Sequence, residues 1–343
     1  MHLLLYLRCS KSMAKEGRHW QYGEVAGALL SDDFSLIKDF GVLFRPNPQD
    51  HWRSHRLLAG NLFWADEQNT LYFFHGGSPN RPELLTEVIA LSKGIRTDDN
   101  EFEWQEPTPV DFNDWESHYG YSFEAEFPDE KHRQWRDPFV IHSQEKYWML
   151  VTAAAKTKSA FKGCIGLAVA NSPEGPYEAL APVTFPTLDS SNDEEGLFYE
   201  CERSFVVFEQ GKWHLFFSVY RRRINPAWLE QLGSHGKEIN DSSLYHYVSD
   251  TIDGPYHPAS KLPTIPGSSQ TGLFATNFVN RENGDVITYG SFDDCNALSF
   301  TGKSQVIWSK NGPEVISTTP LAPLFSLDGY KVWDAMMISL PTG

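Results

Sequence analysis

Three acidic residues open apolar, strand-like stretches of this chain. Asp137 stands in WRDP, Trp135 to Pro138; Glu202 stands in ECERS, which begins at Glu200; Asp334 stands in VWD, Val332 to Asp334. Cutting a glycosidic bond takes one carboxylate as nucleophile or base and a second carboxyl group as acid. A third acid can hold sugar hydroxyls. Arg136 and Arg203 flank the acids, and planar guanidinium groups make directed hydrogen bonds of the kind a sugar needs. The three acids lie far apart along the chain, so they can act together only in a fold that gathers the starts of distant strands. The chain holds 45 Asp and Glu, most of them expected at the surface, so spacing alone carries little.

A repeat supplies such a fold. Four segments share one pattern of apolar strand, short polar turn and second apolar, aromatic strand: NLFWADEQNTLYFFHGG from Asn61, DPFVIHSQEKYWMLVTA from Asp137, ERSFVVFEQGKWHLFFS from Glu202 and ATNFVNRENGDVITYGS from Ala275. The turns EQN, SQEK, EQGK and ENGD carry hairpin chemistry, and their centres lie about 65 to 80 residues apart. A second pattern follows the hairpins: the stretch from Val169 to Tyr177 matches that from Val248 to Tyr256, both ending Gly-Pro-Tyr. Weaker versions start at Gly27 and Val88. Each unit is thus a hairpin plus one or two outer strands, which makes a four-stranded propeller blade. The best helical stretch, PAWLEQLG from Pro226, is short.

Four hairpins give four blades. A fifth is split: its first strand is Val332 to Leu340, followed by the turn Pro341-Thr342-Gly343, and its second is HLLLYLRC near Met1. The expectation is an all-β, five-bladed propeller of four-stranded antiparallel blades. It fills residues 1–343 as a single domain, and pairing of the N- and C-terminal strands closes the ring and removes sheet edges. In such a ring the first strand of each blade lines the central channel, where Asp137, Glu202 and Asp334 would converge. The competing expectation is that residues 332–343 form an independent edge strand or a frayed tail.

Bulk properties limit the partners. The chain has 343 residues, 41% hydrophobic and 14% aromatic, with 11 Trp, 14 Tyr and 23 Phe, enough for a large core. Its net charge of −16 repels phosphate backbones, which excludes nucleic acid and suits a neutral small molecule. The run Arg221-Arg222-Arg223 is read as a solvated face or the rim of a site. Cys9, Cys164, Cys201 and Cys295 form no CxxC pair or metal spacing, so four free thiols are expected. The acidic stretch DSSNDEEG from Asp189 lacks a Ca²⁺-loop spacing, so no metal and no cofactor is expected. No stretch approaches the roughly 20 apolar residues of a membrane span. MHLLLYLRCS has no basic n-region or small-residue cleavage site. Localisation stays open between cytoplasmic and secreted by a leader not in this sequence.

The words around the acids resemble glycoside hydrolase family 68, the levansucrase, inulosucrase and bacterial β-fructofuranosidase group, and its clan relative family 32, the invertases. WRDP resembles the family's Arg-Asp-Pro, whose Asp stabilises the transition state. ERSFVVFEQGKWHLFF resembles its Glu-Arg strand and Gly-Lys-Trp turn, whose Glu is the acid/base. VWD resembles its Val-Trp-Asp, whose Asp is the nucleophile, and GCIGLAVANS from Gly163 is similar to the strand after the Arg-Asp-Pro hairpin. The resemblance implies a five-bladed propeller and a retaining fructosyl transfer or hydrolysis on sucrose or fructans. Asp334 would be the nucleophile, Glu202 the acid/base and Asp137 the stabiliser, with Trp333 walling the pocket and Arg136 and Arg203 binding sugar. Asn61 stands where the family's Trp-Ser-Gly-Ser reads Leu58-Ala59-Gly60-Asn61, without the Ser hydroxyl. Glu200 is included because family 32 places Cys after its catalytic Glu; the distance from Glu202 to Gly211 favours Glu202. The family's nucleophile precedes its other acids, whereas Asp334 follows them, as in a circularly permuted chain. Ala335-Met336-Met337 replaces the family's Trp-Pro type pair.

Two other readings remain at this level. An inverting, five-bladed arabinofuranosidase or xylosidase also uses two Asp and one Glu, with its key carboxyls about 6.5–9.5 Å apart rather than roughly 5–5.5 Å. A non-catalytic carbohydrate-binding propeller keeps aromatic walls without needing three acids.

Overall fold

The computed structural model describes residues 1–16, 22–65, 69–79, 87–98, 101–124, 127–189, 192–239, 241–265, 274–280, 286–292, 299–309, 312–316 and 330–340. The turn Pro341 to Gly343, most of the turns EQN and ENGD, Cys295 and residues 190–191 of the acidic stretch lie outside them. The described chain is all-β and propeller-like, with short helical pieces only. It divides into two compact units. One comprises Met1–Pro82, Val88–Pro109 and Thr271–Gly343; the other comprises Glu83–Glu87 and Val110–Gln270.

The first unit holds three antiparallel sheets. Sheet A runs Tyr330–Ser339, His2–Ser10, Glu24–Leu30, Leu36–Phe44 in spatial order. The expected pairing of the terminal strands is therefore present: His2 faces Ser339, Leu5 faces Met336 and Leu7 faces Asp334. Leu3 to Leu7 form a continuous apolar run because this strand is covered on both faces; all five residues are fully buried. Leu4 and Tyr6 share one cluster with Ala26, Ala28, Leu30, Ala335 and Met337. Sheet B runs Arg56–Ala65, Thr70–Ser78, Val88–Asp98, Glu101–Trp104, with Thr108–Pro109 also on its third strand. Sheet E runs Phe274–Asn280, Val286–Phe292, Ser299–Ser309, Gly312–Ile316.

The second unit holds sheets C and D, besides two short two-stranded pairs, Ser122–Glu124 with Phe127–His132 and Thr187–Asp189 with Asn192–Gly196. Sheet C runs Trp135–Ser143, Lys146–Ala154, Gly163–Ala170, Tyr177–Thr184, with Phe112–Asn113 parallel at its edge. Sheet D runs Glu202–Glu209, Lys212–Tyr220, Ser242–Ser249, His257–Pro258. The hairpin turns have the left-handed residues that a tight two-residue turn requires: Gln144 and Glu145 at φ 53° and 60°, Gln210 and Gly211 at φ 51° and 77°. One core runs between the two sheets, with Leu150, Ile165 and Leu167 from C and Leu215, Phe217 and Tyr247 from D. The repeated Gly-Pro-Tyr ending is an atomic repeat as well. The Tyr177 hydroxyl donates to Pro173 O and the Tyr256 hydroxyl to Ile252 O, both at 3.1 Å. The expected helix forms over Pro226–Gln231, with Asn225 capping Ala227 N and Pro226 at a first-turn position that needs no N–H donor.

One feature recurs in each of sheets A to E. The first strand carries one residue more than the strand beside it, so the ladder slips near its start. The slip lies between Val332 and Asp334 in A, Leu58 and Gly60 in B, Arg136 and Phe139 in C, Glu202 and Phe205 in D, and Phe274 and Asn277 in E. Bulges of this kind bend the strand and re-aim side chains. In C and D the extra stretch places Asp137 and Arg203 at φ 54° and 53°, a left-handed backbone that costs about 1–3 kcal/mol for a residue other than glycine. Pro138 sits inside the slip, where its missing N–H breaks no ladder bond.

Sheet C meets the segment leading into sheet D at Gly163. Its amide donates to Phe198 O at 2.8 Å. A Cβ there would stand 2.6 Å from Glu200 Cα and 2.7 Å from Glu200 N, both rigid backbone atoms. Gly163→Ala is therefore expected to lower unfolding free energy by about 1–3 kcal/mol through over-packing, read from the urea midpoint of the purified variant against the parent.

Candidate active site

The slips in sheets C and D bring Arg136, Asp137, Glu200, Glu202 and Arg203 into one polar cluster. Arg136 is its centre and is almost completely buried. Its Nη2 donates to Glu200 Oε2 at 2.7 Å and to Glu202 Oε1 at 3.2 Å. Its Nε lies 3.8 Å from both Glu87 Oε1 and Asp137 Oδ2. Burial works against a charge on this guanidinium, but Glu200, Asp137, Glu202 and Glu87 together hold its pKa well above the ordinary value. One cation thus faces four carboxyls, an arrangement that cannot keep all four ionised at low energetic cost.

The two glutamates are not equivalent. Glu200 is buried, and burial alone would raise its pKa. Arg136 and then Arg223, whose Nε is 2.9 Å from Glu200 Oε1, outweigh that effect and lower it. Glu202 has only the longer contact to Arg136. Burial first, then the Glu200 anion, push its carboxyl up to about 8. Its Oε2 has no hydrogen-bond partner among the described residues. So Glu200 is held as an anion while Glu202 keeps its proton, which separates two acids that the sequence left as rivals.

Asp137 is fixed by its second oxygen. Oδ2 accepts from the Thr152 hydroxyl at 2.9 Å and from the Arg203 amide at 3.2 Å. The Arg203 group seen to bond Asp137 is its backbone N–H, whereas the sequence pointed to its guanidinium as a sugar donor. Thr152 is fully buried on the second strand of sheet C, facing Arg136 in register.

Three of these residues escaped the sequence reading. Arg223 belongs to a run taken as a solvated face or a rim, yet it pairs with buried Glu200, and its guanidinium covers the Tyr199 ring at 4.5 Å. Its neighbours do other work: Arg221 Nη1 donates to Gly236 O and Ile239 O, and Arg222 lies 4.4 Å over Tyr220. Glu87 carried no motif. Thr152 had one weak signal, a hydroxyl inside the apolar run from Tyr147 to Ala155.

The remaining expected residues lie in the first unit. Trp333 is the extra residue of the slip in sheet A and is buried; a Cβ on Gly23 would stand 3.0 Å from its ring. Asp334 follows it, buried and facing Leu7, with Oδ1 accepting from Ala335 N at 2.8 Å. Beside it, Arg8 faces Val332, bonds Glu24 at 2.8 Å and covers the Tyr330 ring at 4.0 Å. Asn61 is buried on sheet B just after its slip, and its Nδ2 donates to Leu62 O at 3.3 Å. Among the described residues no group of three or more His, Cys, Asp or Glu has the disposition of a metal site, and no helix is long and apolar enough to cross a membrane. Cys9, Cys164 and Cys201 are buried and form no disulfide among the described residues.

No protein-family model matches the sequence, and no curated protein matches it either. Solved structures do. The chain is similar to an inulosucrase from Halalkalicoccus jeotgali bound to kestose, with 19% identity over 94% of this chain and 82% of that one and a TM-score of 0.67. It is similar to Bacillus subtilis levansucrase at 13% identity, over 94% and 83% of the two chains, with a TM-score of 0.69. A B. megaterium levansucrase variant gives 14% identity, 94% and 82% coverage, and a TM-score of 0.69. At these identities the likeness is one of fold.

The raised pKa of Glu202 has a consequence for stability. Between the unfolded carboxyl value near 4.3 and the folded value of about 8, the native state binds the extra proton, so stability falls as pH rises through that window. Glu202→Gln lacks this loss. Relative to the parent, the variant is expected to gain on the order of 1–3 kcal/mol on going from pH 5.5 to pH 8.5, measured by urea unfolding at both values.

Proposed function

We propose that this chain is a glycoside-acting enzyme, a retaining β-fructofuranosidase or fructosyltransferase that uses sucrose or related β-fructofuranosides. The observation that carries the reading is the unequal carboxyl pair under Arg136, with Glu202 poised to give a proton beside the fixed carboxyl of Asp137. The likeness in fold to an inulosucrase bound to kestose and to levansucrases supports the choice of sugar. The same proposal takes the five sheets as blades of one ring and residues 1–343 as one catalytic domain. The order of the acids, with Asp334 last, is read as that of a circular permutant.

In this mechanism the Asp334 carboxylate attacks the anomeric carbon of the fructosyl unit. The bond from that carbon to the glucosyl oxygen breaks, and its electron pair stays on the oxygen. Glu202 gives its proton to the departing oxygen, so glucose leaves neutral. Asp137 accepts fructose hydroxyls and offsets the positive charge that develops on the ring. A water or sugar hydroxyl then attacks the fructosyl ester, losing its proton to the Glu202 carboxylate and freeing Asp334. Arg136 keeps the cluster's charge balanced. Trp333, Arg203, Asn61 and Glu200 shape the surrounding pocket.

The test is a time course with sucrose, measuring free glucose and free fructose separately. Equal release means hydrolysis, and glucose in excess means fructosyl transfer; release of neither sinks the reading. Asp334→Asn is expected to lower kcat on the order of 10⁴-fold, as losses of a covalent nucleophile do. Because the acid must be protonated for the first step, kcat/KM is expected to fall as pH rises past about 8 in the parent enzyme.

A further inference from the structure

Thr152 holds a position that its surroundings do not explain as packing. It is fully buried, yet carries a hydroxyl where its strand neighbours Leu150, Val151, Ala153 and Ala154 are apolar. Its Oγ1 lies 2.9 Å from Asp137 Oδ2 and 2.8 Å from the carbonyl oxygen of Cys201, the residue immediately before Glu202. A hydroxyl has one proton and a free rotor, so it donates to one of two acceptors at a time. A carboxylate is the stronger acceptor, so an ionised Asp137 draws the proton toward itself.

We propose that Thr152 is a positioning residue: its hydroxyl donates to the Asp137 carboxyl and pins it. This inference rests on the fructosyl-transfer reading of the site. The geometry argues for it in two ways. Both hydrogen bonds to Asp137, from Thr152 and from the Arg203 amide, fall on Oδ2. Two donors on one oxygen fix the plane of the carboxyl. Moreover, the left-handed backbone at Asp137 removes the usual strand ladder at this point, so the side-chain bond from the second strand restores what the slip gives up. The Arg203 amide alone leaves the carboxyl free to swing about a single bond. Thr152 itself touches neither sugar nor reacting atoms; it acts through Asp137.

The experiment is steady-state kinetics on sucrose for the parent, Thr152→Val, which keeps the volume and loses the hydroxyl, and Thr152→Ser, which keeps the hydroxyl. Thr152→Val is expected to lower kcat/KM about 10- to 100-fold, mostly through kcat, as misplacement of a reacting group does, while Thr152→Ser stays within about threefold of the parent. In an Asp137→Asn background, adding Thr152→Val is expected to cost less than about twofold, because the residue it serves is already disabled. A Thr152→Val enzyme as active as the parent overturns the inference and leaves the fructosyl reading intact. So does a Thr152→Ser enzyme as impaired as the valine variant, or a full additional loss in the Asp137→Asn background, which is the mark of a merely structural role. If Thr152→Val does not fold, Thr152→Ala carries the same comparison without risk of over-packing. A parent that releases neither sugar overturns both the reading and this inference.

Discussion

A single guanidinium sets the chemistry of this molecule. Arg136 is buried where burying a charge costs several kcal/mol, and only close carboxylates offset that cost. With Glu87, Asp137, Glu200 and Glu202 around one cation, negative charge is in excess. Arg223 relieves part of it from the far side of Glu200. The remaining imbalance is settled by a proton, and of Glu200 and Glu202 it goes to the one with the weaker hold on a cation. That is Glu202, at 3.2 Å from Arg136, rather than Glu200, at 2.7 Å from Arg136 and 2.9 Å from Arg223. The difference between a carboxyl held as an anion and one that keeps its proton is thus a matter of charges and distances.

That count depends on backbone geometry. Regular ladders would leave the starts of the first strands as ordinary strand residues, with side chains alternating between faces. The slips in sheets C and D break the alternation where Arg136-Asp137 and Glu202-Arg203 lie. The equivalence of the two sheets is close: Arg136 and Glu202 are the last residues paired before the slip, and Asp137 and Arg203 share the left-handed backbone. Equivalent positions in a repeat are filled by opposite charges, so two copies of one backbone device build an ion pair between neighbouring sheets. The strain this stores, about 1–3 kcal/mol at each left-handed residue, is offset by the Arg203 amide bonding Asp137.

Much of this was legible in the sequence, for local reasons. Hairpins declare themselves through alternating apolar residues and turns such as Gln210-Gly211, so the strands around Asp137 and Glu202 could be placed. The apolar run from His2 and the strand from Val332 each lacked a neighbour, and their pairing followed from the need to cover edges. The slips were not legible, because a register shift belongs to two strands at once and leaves no single-residue mark. Nor was the partner of Arg223: three adjacent arginines read as a solvated face or the rim of a site, and only the fold sends one of them to Glu200. The contacts of Arg136 span 64 and 66 residues along the chain, a separation over which composition carries no signal.

The likeness to known structures is one of fold, and fold alone does not fix function. Apolar strands tolerate exchange of one hydrophobic residue for another with modest cost, so identities of 13% to 19% are compatible with the same architecture. The buried charges are another matter. Replacing a buried ion pair with well-packed apolar residues is often neutral or stabilising by about 1–4 kcal/mol. A propeller whose task was only to present aromatic walls to a sugar would gain from such a replacement at Arg136, Glu200 and Arg223. Keeping these charges out of water makes sense when one of the carboxyls must hold a proton near neutral pH and release it on demand. The cost of the cluster is therefore itself an argument for catalysis, and it comes from the charges in this chain rather than from the resemblance of its backbone.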